Sequence, residues 1–371
     1  MRRGLFCLLG SALAAVATTA PTTAPLSAQS RASVAAGVGF ERYSFGTPEA
    51  VDIESISLLT IPFGARFELG RRVSLGLTGA WARGTLVYSD GDDSEFSGPT
   101  DTEASLVFDV VPGSVTLTAV ALLPTGSSSM TFDEMIVTGV IAADQLPFRI
   151  SHWGTGGGAG MSFAVTRPLG DFAAGFSLGY VVARTFEPLE GDQFEYRPGN
   201  QLQAAAALDR VIGTSAKATL RLKYQRYDAD QGDGRNLFQT GDRFTAVGSL
   251  DFALGQASAI VYGGWLKRDT GELLEPPEIV PAQDMFYTGA GLRTAIGSAV
   301  LQPSIDLRVV DAEAPGYTLG FGAQLEAPVG TSTLIPSARL RLGSVESIDG
   351  VKSSFTGLDL GFSVRLGAPE R

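Results

Sequence analysis

Hydrophobic and polar residues alternate with a period of two along many stretches of this chain. The stretch "AKATLRLKYQRY", residues 216–227, sets Lys217, Arg221 and Lys223 between apolar residues such as Leu220. Successive side chains of a β-strand point to opposite faces, so this alternation is typical of a strand whose two faces meet different surroundings. One face is predicted to contact hydrocarbon and the other water.

The alternation recurs in runs of roughly ten to fourteen residues, which is long enough for a tilted strand to cross a bilayer. It is clear in residues 301–309 and 358–366. Short connections with glycine, such as residues 69–72, alternate with longer acidic ones, such as residues 269–284. This arrangement predicts an all-β protein: a transmembrane antiparallel up-and-down β-barrel of about 16 strands (12–16 are acceptable), with both ends on the short-turn side.

Aromatic residues near the predicted long loops support the same orientation. Barrels in membranes carry aromatic girdles at the two interfaces with water. The aromatic residues expected in the girdle are Tyr43, Tyr88, Phe186, Tyr227, Trp265, Phe286, Tyr317 and Phe355.

A secreted β-sandwich or a β-solenoid is the competing architecture. Either would need bulky residues on its inner faces. In this chain the polar faces carry charges and glycine instead, as where Gly175, Ser177 and Gly179 alternate with Phe176 and Leu178. Such faces favour a wet, crowded interior.

Residues 1–28 have the organisation of a secretory signal peptide. Two arginines precede an apolar run from Leu5 to Val16, which is too short to span a bilayer, and Ala28 is a small residue at a cleavage position. We therefore expect residues 1–28 to be removed on export. Residues 29–371 would then form the barrel in the outer membrane of a diderm bacterium.

Removal of the leader changes the composition of the chain. Cys7, the single cysteine, is lost, so the mature chain has no disulfide and no thiolate metal ligand. The full chain has 28 bases and 39 acids; without the two leader arginines, 26 bases and a net charge of −13 remain. Strong acidity argues against nucleic acid as a partner, because phosphates require a basic face.

The stretch from Pro124 to Phe148 breaks the alternation and predicts a short helix in one extracellular loop. Thr131 and Glu134 have the spacing of a capping box, and Pro147 would stop the helix. The apolar residues at helical spacing are Phe132, Met135, Ile136, Val140 and Ile141. Two placements are open: the helix folds into the barrel as a constriction or lid, or it caps the outside.

Three short motifs resemble a known family. They are "ALLPTG" at 121–126, "GTGGGAGMSFAVTRPLG" at 154–170 and "YRPGN" at 196–200. They resemble the transporter family associated with the phenol meta-degradation pathway, which is distantly similar to the FadL-type channels for hydrophobic compounds. The resemblance implies passage of small hydrophobic or aromatic molecules. FadL-type channels carry a hatch before their first strand, whereas alternation here begins by about Ala32.

Candidate residues for catalysis or metal binding are few. His152 is the only histidine and follows Ser151. Adjacent residues of an extended chain point apart, so the two do not make a dyad, and we expect a structural histidine. The acidic stretch with Asp90, Asp92 and Asp93 lacks the spacing of a known calcium loop. We predict no enzymatic activity, no catalytic residue, no metal and no cofactor.

The polar faces of the later strands carry more cations than acids. The predicted pore-lining cations are Lys217, Arg221, Lys223, Arg243, Arg293, Arg308, Arg339, Arg341 and Arg365. Their acidic companions are Asp209, Asp251, Asp306, Glu326 and Asp359. Two interpretations stay open: a positive field that favours anions, or a ladder of cross-strand ion pairs that fills the interior.

The predicted function is passive uptake of small hydrophobic, aromatic or anionic organic solutes through a channel. A plugged structural or adhesive barrel and an outer-membrane hydrolase are the alternatives. The expected partners are outer-membrane lipid, lipopolysaccharide, a small organic solute and the barrel-assembly machinery. That machinery would recognise Asp359 to Leu366, where "DLGFSVRL" looks like an assembly signal.

Overall fold

Sixteen antiparallel strands close into one barrel in the computed structural model, which describes residues 32–347 and 349–366. The predicted all-β barrel and its strand number are confirmed. The predicted leader, residues 1–28, lies outside the described residues.

The described residues contain twenty-two β-segments and two helices. In chain order they are β1 (Ala32–Phe45), α1 (Pro48–Val51), β2 (Ile53–Glu68), β3 (Val73–Tyr88), β4 (Asp93–Pro99), β5 (Thr102–Val111), β6 (Val115–Leu123), α2 (Phe132–Ala142), β7 (Gly158–Leu169), β8 (Phe172–Ala183), β9 (Tyr196–Arg197), β10 (Gln201–Ile212), β11 (Ala216–Tyr227), β12 (Ala229–Gly232), β13 (Arg235–Gln239), β14 (Arg243–Leu254), β15 (Ala257–Arg268), β16 (Gly271–Leu274), β17 (Pro277–Val280), β18 (Gln283–Ile296), β19 (Ala299–Asp311), β20 (Gly316–Val329), β21 (Ser332–Glu346) and β22 (Lys352–Leu366). Segments β4 and β5 both pair with β3 and together make one strand of the wall. Segments β9, β12, β13, β16 and β17 form a separate sheet.

The barrel closes where β1 pairs with β22, in a register that runs from Val34↔Leu366 to Phe45↔Phe355. We call this pairing the closing seam. Both described ends lie at the end of the barrel that carries seven short turns, as predicted. Six of these turns contain a glycine with φ between 60° and 71°, the left-handed region that tight hairpins use. We call this the short-turn end and the opposite one the long-loop end.

The two faces of the wall differ as the alternation predicts. On β11, Leu220 and Tyr224 are 44% and 39% exposed on the outer face. Lys217, Arg221 and Lys223 point to the interior, in register with inward residues of β14. A closed barrel leaves no strand edge with unpaired backbone groups, and the outer side chains of this one are apolar. Both features suit the outer face to contact with hydrocarbon.

A five-stranded antiparallel sheet, in the order β17-β16-β13-β12-β9, lies at the long-loop end. It joins three connections that the sequence analysis treats only as acidic loops. The hairpin of β12 and β13 turns at Asp233 and Gly234, whose φ values are 49° and 76°. Asp-Gly is a preferred pair for a two-residue turn because both positions need positive φ. The three loops therefore share one hydrogen-bonded ladder.

The predicted aromatic girdle is only partly present. Trp265 stacks on Phe286 with ring centroids 6.4 Å apart on the outer face, and Tyr317 is 51% exposed. The remaining five do not join the girdle: Tyr43, Tyr88, Tyr227 and Phe355 face the interior, and Phe186 lies over Gly156. The prediction is wrong for these five. Tyr227 faces Gln201 and Gln225 in the interior, whereas Tyr43, Tyr88 and Phe355 pack there against apolar partners that no local pattern shows.

Those partners come from residues 124–157, which fold into the barrel and which we call the inserted segment. Helix α2 begins with the predicted capping box, in which Thr131 accepts from the Glu134 N–H and the Glu134 carboxylate accepts from the Thr131 N–H. The core between the segment and the wall contains Tyr43, Phe45, Ile56, Leu58, Ala82, Leu86, Phe96, Val137, Ile141, Leu146, Trp153, Val345 and Phe355. The hydrophobic core thus lies inside the barrel, on the side of β1–β4, β21 and β22.

Among the described residues, no helix combines the length and the apolar character needed to cross a membrane.

Candidate functional site

Five cations face the lumen from the adjacent strands β11, β14 and β15. We call this set the basic wall: Lys217, Arg221, Lys223, Arg243 and Arg268. Arg243 and Arg268 lie directly opposite each other, and Arg243 also donates a hydrogen bond to the Tyr227 hydroxyl. Like charges in register destabilise a sheet. Water that solvates both guanidinium groups would offset this repulsion, so the pair indicates a water-filled interior on this side.

Two acids balance the basic wall at its short-turn end. Lys217 Nζ lies 2.9 Å from Asp209 Oδ2, and Asp251 is the cross-strand neighbour of Lys217. The other members of the basic wall stand closer to the long-loop end. The net positive charge of the basic wall is therefore concentrated between these two acids and the long-loop end.

Two of the remaining predicted cations, Arg339 and Arg341, lie within an ion-pair lattice on β19, β21 and β22. Arg339 Nη1 is 2.9 Å from Asp306 Oδ1, and Arg341 Nη1 is 3.6 Å from Asp306 Oδ2. Arg341 Nη2 is also 3.9 Å from Asp359 Oδ2. Arg149 of the inserted segment pairs with the same Asp359. This part of the interior matches the ladder interpretation.

Three further cations complete the predicted set. Arg293 Nη2 is 3.1 Å from Glu326 Oε2, and Arg308 Nη2 is 3.8 Å from Asp144 Oδ1 of the inserted segment. Arg365 faces inward at the short-turn end, in register with Ala35. The structure thus places all nine predicted cations at inward positions. Their role in selecting solutes stays a prediction.

Sequence reasoning missed Arg268, which belongs to the basic wall. The run "WLKR" at the end of β15 has two successive cations, and only the register with β14 assigns Arg268 to the inner face. Where two cations follow each other at the end of a strand, alternation does not show which of them faces inward, so the local signal is ambiguous.

Helix α2 packs on the inside of the wall through only part of the predicted stripe: Ile141 belongs to that stripe, but the equally buried Val137 does not. Val137 and Ile141 are buried, at 0% and 1% exposure, whereas Phe132 is 55% exposed. The other predicted contact residues, Met135, Ile136 and Val140, are only partly buried. The expectation that Phe132 packs on the wall is wrong because the helix begins at this residue, before its buried face reaches the wall. The segment's role as a constriction stays a prediction.

Asp101 ties the two ends of the inserted segment together. Its Oδ1 accepts from the Gly126 N–H at 3.0 Å, and its Oδ2 accepts from the Thr155 N–H and hydroxyl, both at 2.8 Å. The Asp101 N–H in turn donates to the Trp153 carbonyl at 2.8 Å. The segment therefore leaves and re-enters the wall at one fixed point.

A cavity of about 550 Å³ occupies the lumen beside the lattice, and charged and amide side chains share its lining with small and apolar ones. The side chains that matter here are Arg149, Arg293, Arg339, Asp251 and Asp359, with Tyr262, Gln302 and Gln324 between them. Such a lining of charges and amides is suited to hydrated, polar solutes.

His152 lies within the inserted segment, with its Nδ1 3.4 Å from the Ser151 hydroxyl. Burial lowers the pKa of His152, and the negative charge of Asp101 opposes this shift. The imidazole is therefore neutral at neutral pH. Across residues 32–347 and 349–366, no group of three or more His, Cys, Asp or Glu side chains could hold a metal ion.

Comparison with known proteins gives structural neighbours only. No family model matches the chain, and no curated protein matches it. An anion-selective porin from Comamonas acidovorans matches with a TM-score of 0.42 and 13% identity, over 91% of this chain and 98% of that chain. A triple mutant of the Rhodopseudomonas blastica porin matches with a TM-score of 0.39 and 15% identity, over 91% of this chain and 99% of that chain. The resemblance to the phenol-pathway and FadL-type transporters is not confirmed, and neither neighbour assigns a solute to this chain.

Proposed function

We propose that this chain is an outer-membrane channel through which small organic anions pass passively. The observation that carries the proposal is the basic wall. Five cations face the lumen from β11, β14 and β15, and on the wall strands β10, β11, β14 and β15 the inward acids are Asp209 and Asp251. Cations that line a water-filled passage raise the local concentration of anions and lower the barrier to their entry.

The membrane setting follows from the two faces of the barrel. Apolar side chains cover the outer face, so lipid would surround it, and the polar lumen would hold water. We place the long-loop end outside the cell, where acidic loops would meet lipopolysaccharide. In the same view the barrel-assembly machinery binds the last strand, from Asp359 to Leu366, before it pairs with β1.

Carboxylates are the solute class that fits this lumen better than neutral hydrophobic molecules do. The apolar residues of the inserted segment, such as Val137 and Ile141, are buried against the wall and cannot contact a solute. The cavity in the lumen presents Arg293, Arg339 and Gln302 instead. Aliphatic or aromatic acids can use both the positive field and these hydrogen-bond donors.

Changing Arg221 and Lys223 together to Gln tests the proposal. In planar bilayers with a salt gradient, we expect the reversal potential to shift away from anion preference while conductance steps persist. The matched control is Arg210→Gln with Arg226→Gln, which removes two cations from the outer faces of β10 and β11. That control should leave the reversal potential unchanged.

One observation favours a second candidate, a plugged structural barrel. The ion-pair lattice joins Arg339, Asp306, Arg341 and Asp359 and extends to Arg149 of the inserted segment. If the lattice blocks the lumen, the wild-type protein will show no conductance steps. A loss of thermal stability in the Arg221 and Lys223 variant, with unchanged selectivity, would also favour this candidate over the anion channel.

A further inference from the structure

Two glycines stand opposite each other on the inner face of the closing seam. Gly39 of β1 is in register with Gly361 of β22. A Cβ on Gly39 would lie 2.6 Å from Arg149 Nη1, and a Cβ on Gly361 would lie 3.0 Å from Arg149 Nη2. Because neither residue has a side chain, the guanidinium of Arg149 can lie against the two strands at this pair.

Arg149 is bonded to both strands of the seam. Its backbone N–H donates to Glu41 Oε2 of β1 at 3.0 Å, and its guanidinium donates to Asp359 of β22. The preceding residue, Phe148, packs edge-on against Tyr43 of β1, with centroids 5.0 Å apart. The inserted segment thus fastens to the first and the last strand at one point.

The acids at this point need a cation. Glu41 and Asp359 are cross-strand neighbours in the register of the seam, and Glu41 is only 1% exposed. Two carboxylates in register repel each other, and water cannot solvate a buried one. The nearest cation of the wall, Arg341, is shared between Asp306 and Asp359. Arg149 is the cation that the inserted segment adds.

We infer that Arg149 is the positioning residue that holds the inserted segment against the closing seam and so sets the width of the passage. The effect on the passage rests on the proposed channel function. The contact with the seam does not, and it is tested separately. Arg149 acts through Asp359 and Glu41, so its removal frees the segment to move away from β1 and β22.

Thiol reactivity at Thr60→Cys, with Cys7→Ser in the same chain, reports on the segment without reference to transport. Thr60 is 2% exposed, and its Oγ1 lies 2.8 Å from the position that a Cβ on Gly39 would take, beside the guanidinium. Arg149→Gln should raise the rate of reaction with a charged, water-soluble maleimide about tenfold or more, as expected when a charge-assisted hydrogen bond is lost. Adding Asp359→Asn should raise it no further.

Two other variants separate position from charge. Arg293→Gln removes a cation from the same cavity without touching the segment, and it should leave the rate of thiol labelling at position 60 unchanged. Gly361→Ala keeps every charge but places a Cβ 2.5 Å from Ser337 Oγ and 3.0 Å from Arg149 Nη2, so it crowds the guanidinium and should raise the rate even if Arg149→Gln does not fold. Equal rates in wild-type, Arg149→Gln and Gly361→Ala backgrounds would overturn the inference.

Conductance tests the second half of the inference. Arg149→Gln should enlarge the single-channel step, whereas Arg293→Gln should shift the reversal potential without enlarging the step. If the wild-type protein shows no steps at all, the channel proposal fails, and the thiol comparison still decides the role of Arg149. Equal step sizes in the two variants would refute its control over the width.

Discussion

Gly84 lies on the inner face of β3, directly beneath helix α2. A methyl group at this position would overlap Cδ1 of Ile141 and lie 3.1 Å from Val137 Cγ1 and 3.3 Å from Trp153 Cη2. The backbone of Gly84 is held on both sides, by β2 through Leu58 and by β4. In Gly84→Ala, the Ile141 side chain or the helix that carries it must therefore move rather than the wall.

The cost can be worked out from these contacts. Adding a methylene-sized group to a packed core costs about 1–3 kcal/mol, and the overlapped atom here is the end of a flexible side chain, so we expect the lower part of that range. Ile141→Val removes the overlapped carbon and alone costs about 0.5–1.5 kcal/mol. With both changes, the new methyl group fills the space that the lost one leaves. The double variant should therefore be no less stable than Ile141→Val alone. The coupling free energy between the two changes would then be about 1 kcal/mol or more.

Denaturant titration in lipid vesicles measures the three free energies of unfolding. Gly64→Ala is the matched control, because Gly64 also faces inward, on β2, and the nearest atom to its added Cβ is Thr78 Cγ2 at 3.7 Å. This control should be neutral or stabilising. Strictly additive effects of Gly84→Ala and Ile141→Val would show that α2 does not pack on Gly84, and the placement of the inserted segment would then be wrong.

Two further predictions concern the inserted segment. Trp153→Phe removes a buried N–H that donates to the Ala82 carbonyl at 3.1 Å, so unfolding free energy should fall by about 1–3 kcal/mol in the same titration; the outward-facing Trp81→Phe should cost less, and an equal loss would contradict the contact. Because burial lowers the pKa of His152 below its ordinary 6.5, the unfolded segment binds a proton more readily. The packing of the segment should therefore weaken as pH falls below 6.5, and His152→Ala should abolish this dependence, measured by amide hydrogen exchange, while conductance at neutral pH is unchanged.

Period-two alternation was sufficient to predict the wall. It assigned Lys217 to the interior and Leu220 to the outer face because a strand's side chains have only two directions. It could not place Tyr43 and Phe355, whose burial depends on a segment that enters the barrel from elsewhere. Arg149 and Asp359 are 210 residues apart, so no local pattern joins them.

Some missed features did carry a local signal. The Asp233-Gly234 pair is a strong hairpin signal, but its acidic surroundings favoured a loop. The stripe on α2 was predicted from spacing alone, which found Ile141 but could not distinguish Phe132 from Val137 as its companion on the wall. Only contact with Gly84, Leu86 and their neighbours decides between the two.

The shared sheet at the long-loop end has a consequence for how this surface can change. Strands from three loops are held in one ladder, so lengthening any loop at its base would shift the register of its neighbours. The tip of the Asp233–Gly234 turn is held as well, because the Asp233 N–H donates to the Glu195 carbonyl at 2.8 Å and Asp233 Oδ1 accepts from the Glu195 N–H at 3.0 Å. Sequence change is accommodated best at the outer strand β17, which pairs on one side with β16 and whose Ile279 is 72% exposed. The rest of this five-stranded sheet can change in length only if its three loops change together.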